Sequence, residues 1–158
     1  MNIGLVIYSL TGNTLSVAEK IKNKLTENGH SVSLEQIQIS GETPAQPGKF
    51  ELTVIPDVSG YDALILGSPV QAFSLNPVMK AYLPKLPKLE GKKVALFVTK
   101  QLPALWLGGT GSIKRMKAEC EKQGAKVIGS DIVVWASSKR EQSTAECVQN
   151  MGRYFSGK

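Results

Sequence analysis

The sequence predicts an α/β protein in which a parallel five-stranded sheet carries helices on both of its faces. Three observations support this class. Short apolar segments rich in β-branched residues are typical of strands that are buried on both faces. They alternate along the chain with segments whose apolar residues recur at helical spacing. These helical segments lie between the strands, as the crossover connections of parallel strands require.

The first predicted elements are a strand and a helix. Residues 2–8 form an almost continuous apolar run, which predicts a buried strand. Apolar residues then recur at helical spacing as far as Gly29, which predicts a helix over residues 14–28 that ends at a left-handed glycine. Residues 31–37 alternate polar and apolar side chains, as in an edge strand. No helix longer than a turn or two is predicted for residues 38–60, because six Gly and Pro residues interrupt them.

The rest of the chain continues the alternation of strands and helices. Further strands are predicted over residues 63–67, 94–99 and 127–135. Further helices are predicted to begin at Asn76 with Pro77 in the first helical position, after a cap at Thr110 or Ser112, and near residue 138. The chain shows neither an internal repeat nor a linker, so we expect a single domain over residues 1–158.

The composition excludes several classes of protein. The apolar runs are far shorter than the roughly 18 residues that a membrane span needs, and the chain does not begin with the basic segment of a signal peptide. Two cysteines and one histidine are too few for a disulfide framework, a zinc site or a Ser-His-Asp triad. We therefore expect a cytoplasmic protein with reduced thiols, with no membrane association and with no bound metal.

The charge of the chain is unevenly distributed. Residues 1–60 have four cations and six carboxylates, whereas residues 61–158 have fifteen cations and seven carboxylates. The basic residues are not interleaved with aromatic residues that could stack on bases, so nucleic acid is not an expected partner. Two interpretations remain open: the cations form a solvated surface, or they attract an acidic partner.

The turn after the first predicted strand is a candidate anion site. In a parallel sheet of this kind, ligands bind beyond the carboxyl ends of the strands. The turn Ser9-Leu10-Thr11-Gly12-Asn13-Thr14 offers three hydroxyl groups, a glycine that permits close backbone approach, and the N-terminus of the following helix. It lacks the lysine of a nucleoside triphosphate loop and does not match G-x-G-x-x-G. The turn therefore suits a single terminal phosphate.

Three segments of the chain resemble the flavodoxin family. The turn S-L-T-G-N-T is similar to the phosphate loop of that family, whose pattern is roughly [ST]-x-T-G-x-T. Residues 63–70, A-L-I-L-G-S-P-V, look like its third strand and first flavin loop, and residues 94–109 look like its fourth strand and second flavin loop. The resemblance covers essentially the whole chain. It implies a flavodoxin-like three-layer α/β/α sandwich of the short-chain form, with strand order 2-1-3-4-5 and flavin mononucleotide (FMN) as cofactor.

The resemblance also implies which residues bind the cofactor. The phosphate loop would use Ser9, Leu10, Thr11, Gly12, Asn13 and Thr14. The first flavin loop would use Pro69, Val70, Gln71, Ala72 and Phe73, and the second Thr99, Lys100, Gln101, Trp106, Gly108 and Gly109. Trp106 falls where the family usually places an aromatic ring that stacks on the flavin, and the apolar run around it favours such a flat, apolar ligand.

Two features depart from the family pattern. The first flavin loop often carries an aromatic residue followed by Gly, where this chain has Gln71-Ala72. Because Ala disfavours a positive φ, we expect this turn to resist the peptide flip that such a Gly permits. The second departure is the basic C-terminal half, which includes Lys100, since flavodoxins that carry electrons are usually acidic. We expect a reduced flavin to be less destabilised here than in acidic relatives.

Three functions follow from these expectations. The first is an electron carrier that binds FMN and moves electrons between partner proteins, which would have acidic docking surfaces; no residue is predicted to act as a catalytic acid or base. The second is an FMN-dependent oxidoreductase that uses NAD(P)H and a small substrate such as a quinone. The third is a nucleotide-binding module that uses the phosphate turn without a flavin.

Overall fold

The computed structural model describes residues 1–41, 45–101 and 108–156. The strands are β1 (Asn2–Ile7), β2 (Ser31–Gln36), β3 (Gln38–Gly41), β4 (Phe50–Val54), β5 (Ala63–Gln71), β6 (Ser74–Leu75), β7 (Lys93–Lys100) and β8 (Lys126–Val134). The helices are α1 (Asn13–Glu27), α2 (Pro77–Tyr82), α3 (Gly109–Lys122) and α4 (Arg140–Tyr154), and a 3-10 turn (Leu83–Lys85) follows α2.

The central sheet has the order β2-β1-β5-β7-β8. All four pairings between these strands are parallel. They correspond to the five predicted strands, so the α/β class and the order 2-1-3-4-5 are confirmed. The sheet also has a sixth strand, because β6 pairs antiparallel with the end of β5. The predicted strand count was therefore one too low.

Two apolar cores lie on the two faces of the sheet. On one face, Val78 of α2 and Met116 of α3 pack with alternate side chains of the central strands. On the other face, Ile21 of α1 and Met151 of α4 pack against the remaining alternate side chains, among them Phe97. A central strand that is covered on both faces needs apolar residues at every position, which explains the continuous apolar runs of β1, β5 and β7.

The predicted helix boundaries differ in detail from the structure. Gly29 has a φ of 92° just after α1, which confirms the predicted left-handed end of that helix. Asn76 caps α2 by accepting a hydrogen bond from the backbone N–H of Val78 at 2.8 Å, again as predicted. The predicted start of α3 was wrong, because the helix begins at Gly109 and its N-cap is Gly108 with a φ of 97°.

Residues 38–60 contain a hairpin that the sequence analysis did not predict. β3 and β4 pair antiparallel and form a separate two-stranded sheet. Partly buried Ile39, Phe50 and Leu52 pack from this hairpin against the core on the α2 and α3 face. The Gly and Pro residues do exclude a long helix here, but they are compatible with two short strands joined by a loop.

No helix within the described parts of the chain is long and apolar enough to cross a membrane.

Candidate functional site

A cleft of about 180 Å³ lies where β1, β5 and β7 reach the carboxyl edge of the sheet. It is lined by Leu10, Thr11, Asn13, Thr14, Pro69, Val70, Thr99, Lys100 and Gln101. The three strands are neighbours in the sheet, so the segments that follow them meet at one edge although they are far apart in the sequence. All three segments named by the sequence analysis therefore contribute side chains to the same cleft.

The loop from Ser9 to Thr14 presents backbone and hydroxyl donors at the start of α1. The Ser9 Oγ accepts hydrogen bonds from the backbone N–H groups of Gly12 and Leu15, both at 3.2 Å. Gly12 has a φ of 93°, a conformation that favours glycine. The first turn of α1 contains no acidic residue, so the positive end of the helix dipole is not neutralised by its own helix. Ser9 orders the loop, whereas Thr11 and Asn13 lie on the cleft.

A buried hydrogen bond joins the first loop to the third. The hydroxyl groups of Thr14 and Thr99 lie 2.9 Å apart, and the two side chains are only 1% and 3% exposed. Either hydroxyl can be the donor. When Thr99 donates, the Thr14 proton remains available for an anion in the cleft, because a hydroxyl group donates once and accepts twice.

The segment after β5 forms a tight hairpin. Pairing of Val70 with Leu75 and of Gln71 with Ser74 leaves Ala72 and Phe73 as a two-residue connection. Their φ values are 50° and 61°, and two positive φ values are the pattern of a type I′ turn. Each non-glycine residue in this region costs about 1–2 kcal/mol.

Ala72 therefore adopts a positive φ although alanine disfavours it, and the resistance of this turn to a peptide flip stays a prediction. The paired strands on both sides of the connection leave two residues to reverse the chain. Type I′ geometry matches the twist of the strands, so the hairpin imposes the left-handed conformation despite its local cost.

The side chain of Gln71 does not line the cleft. Its Nε2 donates to the backbone carbonyl of Ala45 at 2.6 Å, and its Oε1 accepts from Asn76 Nδ2 at 2.7 Å. Ala45 and Asn76 are both fully buried, so these bonds tie the β5–β6 hairpin to the connection after β3. This arrangement could not be predicted, because nothing in the sequence shows that Ala45 lies beside the first flavin loop.

The third segment brings a lysine into the cleft. Lys100 is only 4% exposed, and burial lowers the pKa of its ammonium group. Its backbone carbonyl accepts from the Trp135 N–H at 2.7 Å, and that of Gln101 accepts from Ala136 at 3.1 Å. These two bonds continue the β7–β8 pairing beyond the strands and fix where the segment enters the cleft.

Gly108 and Gly109 follow at the start of α3, outside the lining of the cleft. A Cβ at position 108 would lie 2.5 Å from the carbonyl carbon of Phe73 and 2.8 Å from Val70 Cγ1. A Cβ at position 109 would lie 3.2 Å from Lys100 Cδ. Glycine is thus needed for the close contact between α3 and the β5–β6 hairpin. Trp106, the predicted stacking residue, lies outside the described residues.

Comparison with known families identifies the fold and the ancestry of the chain. The sequence model of a family described as "Flavodoxin domain" matches residues 5–104, which is more than half of the chain. The chain belongs to the flavodoxin family. This flavodoxin-family chain is also 31% identical to a flavodoxin of Megasphaera elsdenii over 135 residues, which cover 83% of the chain and 85% of the relative.

Two further similarities extend this result. The flavodoxin-family chain is 28% identical over 120 residues to an NAD(P)H dehydrogenase (quinone) of Archaeoglobus fulgidus. That match covers 63% of the chain and 61% of the length of the relative. The structure superposes on a flavodoxin of Streptococcus pneumonia TIGR4 with a TM-score of 0.74, at 18% identity and over 99% of both chains. At this identity the superposition shows the shared fold.

Proposed function

We propose that the protein binds FMN non-covalently in the cleft beyond β1, β5 and β7 and carries electrons between protein partners. One observation carries this proposal. The three segments that resemble the cofactor loops of flavodoxins converge on one cleft, and the hydrogen bond between Thr14 and Thr99 joins the first to the third. The relationship to the Megasphaera flavodoxin supports the same function.

The donors at the start of α1 fit a phosphate monoester. Thr11 and Thr14 supply hydroxyl groups, and the N-terminus of a 15-residue helix supplies backbone N–H groups and a partial positive charge. Carboxylates, which would repel a phosphate, are absent from the described lining of the cleft and from the first turn of α1. Lys100 is the one cation among the described lining residues, and it lies on the third segment rather than in the phosphate loop. We assign the phosphate to residues 9–14.

The remaining lining residues suit the isoalloxazine ring. Pro69 and Val70 offer apolar surface on one side of the cleft, and Thr99, Lys100 and Gln101 lie on another. We assign Trp106 to stacking on the ring, on the resemblance of the second flavin loop. Bound FMN would supply the redox chemistry, while the protein binds it, orients it and sets its electrostatic surroundings.

The chemistry of the lining favours a carrier over an enzyme. Lys100 is the one titratable side chain among the described residues of the cleft, and its ammonium group is buried. A carrier needs no group that moves a proton to or from a substrate, whereas many oxidoreductases do.

A comparison of FMN with riboflavin tests this proposal. The two molecules share the ring system, and only FMN carries the phosphate. We expect FMN to give a yellow complex and to bind at least about 100-fold more tightly than riboflavin, because each hydrogen bond to a charged group is worth roughly 1.5–3 kcal/mol. Fluorescence titration of the apoprotein measures both affinities. A colourless protein that takes up no FMN at micromolar concentration would refute the proposal.

The relationship to the Archaeoglobus protein favours a second candidate, an NAD(P)H-dependent quinone reductase. Steady-state oxidation of NADPH by the FMN-loaded protein, with a quinone as acceptor, separates the two functions. The carrier proposal expects slow turnover until a reductase protein is added. Rapid turnover by the protein alone would contradict the electron-carrier proposal and support the quinone reductase.

A further inference from the structure

The positive charge of the molecule is concentrated on one of its two helical layers. On the face that carries α2 and α3, the helices and the 3-10 turn between them contain six cations and two carboxylates. These residues are Lys80, Lys85, Lys114, Arg115, Lys117 and Lys122, with Glu119 and Glu121. The opposite layer, α1 and α4, has five cations and four carboxylates. The α2–α3 layer therefore has a net charge of +4 and the other layer +1.

A surface groove of about 250 Å³ opens at the end of this basic layer that adjoins the candidate cofactor cleft. Its lining includes Phe73, Lys80, Gly108 and Arg115, and the described part of this lining has two cations and no carboxylate. Lys80 Nζ donates to the hydroxyl of Ser74 at 2.8 Å, so the ammonium group lies beside the β5–β6 hairpin. The groove thus offers two positive charges, and the hydrogen bond to Ser74 fixes the position of the Lys80 ammonium group.

Phe73 stands at the rim of this groove with 63% of its surface exposed, more than any other large apolar side chain in the described residues. Its backbone is in the left-handed region, and the backbone contacts Gly108 at the start of α3. The phenyl group contributes little buried surface to the fold. The backbone of Phe73 is nevertheless held by the β5–β6 hairpin and by the start of α3. Aromatic residues and Arg are enriched in protein interfaces relative to the rest of the surface.

We propose that the groove around Phe73, Lys80 and Arg115 is the docking site for an acidic redox protein. This inference rests on the proposed function, since it places the partner beside the bound cofactor. Val70 connects the two sites: it lines the cofactor cleft and lies against Gly108, which lines the groove. A partner whose carboxylates meet Lys80 and Arg115, and whose apolar surface covers Phe73, would therefore sit next to the cleft.

The observations favour a protein over a nucleic acid as the occupant. Non-specific binding of single strands uses several aromatic side chains on which successive bases stack. Among the described residues that line this groove, Phe73 is the one aromatic side chain, and Lys80 and Arg115 are the two cations. One aromatic side chain in the same groove as two cations matches a folded acidic surface better than a strand of stacked bases.

Cytochrome b5, a small acidic haem protein, serves as the probe of this site. The FMN-loaded protein is reduced anaerobically with dithionite, freed of excess reductant and mixed with ferric cytochrome b5 in a stopped-flow spectrometer. At neutral pH each reduced FMN gives two electrons, one to each of two ferric haems, and releases one ring proton to solvent. We expect Lys80→Gln with Arg115→Gln to lower the second-order rate constant at least about tenfold at low ionic strength, and less at high salt. Phe73→Ser should lower it at every salt concentration.

The matched control is Lys24→Gln with Arg153→Gln, which removes two charges from a groove between α1 and α4. This variant should keep the rate constant within about twofold. The FMN affinity of every variant is measured in parallel, so loss of the cofactor is distinguished from loss of docking. Equal effects of the two double variants, or no effect of either, would overturn the docking site while leaving FMN binding intact. A Lys80/Arg115 variant that lost only affinity for single-stranded DNA would assign the groove to nucleic acid instead.

Discussion

We expect Thr14 to contribute both to ligand binding in the cleft and to the stability of the fold. It lies in the first turn of α1, it is buried, and its hydroxyl meets that of Thr99 on the neighbouring segment. Thr11, by contrast, is exposed at the tip of the same loop. The two hydroxyl groups are therefore expected to contribute differently: both to phosphate binding, but only Thr14 to the stability of the apoprotein.

The double variant Thr11→Ala with Thr14→Ala tests the assignment of the phosphate loop. We expect it to weaken FMN binding by about 3–6 kcal/mol, because it removes two hydrogen bonds to a charged group, each worth roughly 1.5–3 kcal/mol. Fluorescence titration measures the effect. The affinity for riboflavin, which has no phosphate, should change much less.

Two single variants serve as controls for that experiment. Thr26→Ala removes an exposed hydroxyl at the other end of α1 and should leave FMN binding unchanged. Thr14→Ser keeps the hydroxyl group and should retain most of the affinity. An unchanged affinity in the double variant would show that the phosphate binds elsewhere.

Among the elements, the β5–β6 hairpin is the one whose conformation conflicts most with its sequence. Type I′ turns favour Asn and Gly, whereas this turn contains Ala72 and Phe73, both with positive φ. We expect Ala72→Gly to raise the free energy of unfolding of the apoprotein by about 0.5–1 kcal/mol, because relief of the left-handed strain exceeds the entropy that glycine adds to the unfolded chain. Urea denaturation followed by circular dichroism measures it.

The same substitution in a helix provides the control. Ala118 is exposed in the middle of α3, where Ala118→Gly should lower the free energy of unfolding by about 1 kcal/mol. The two changes are chemically identical, so opposite signs can come only from backbone conformation. If Ala72→Gly destabilised the protein as much as Ala118→Gly, the turn would not be left-handed.

The central elements could be predicted from the sequence, whereas the two hairpins could not. Strands such as β5 are apolar at successive positions because both faces are covered, and this local pattern is visible without the structure. β6 has two residues, and β3 pairs with β4 across a loop, so neither leaves a periodic signal.

The candidate site could likewise be predicted only in part. The lining of the cleft follows from motifs at strand ends, but the contact between Gln71 and Ala45 depends on a hairpin position that only the fold defines.

At the scale of the whole molecule, the edge of the sheet and the faces of the sheet have different roles in the proposed function. Its carboxyl edge brings the three cleft segments together, and its faces carry layers of very different charge. Because the basic layer adjoins the cleft through Gly108 and Phe73, its field would act on the proposed cofactor as well as on the proposed partner. The effect of the field on the cofactor can be measured separately from its effect on a partner, because the measurement needs no partner.

The net charge of +6 leads to a prediction about the bound cofactor alone. At neutral pH, two-electron reduction adds one negative charge to FMN, so positive surroundings favour the reduced form. Salt weakens this effect by screening exposed charges. We expect the two-electron potential of the bound FMN to fall by on the order of 10–20 mV, about 0.5–1 kcal/mol, when NaCl is raised from about 10 mM to about 500 mM. A dye-coupled spectrophotometric titration measures the change, and free FMN in the same buffers corrects for effects of the solvent. A potential that rose with salt would mean that carboxylates, rather than the basic layer, dominate the field at the cleft.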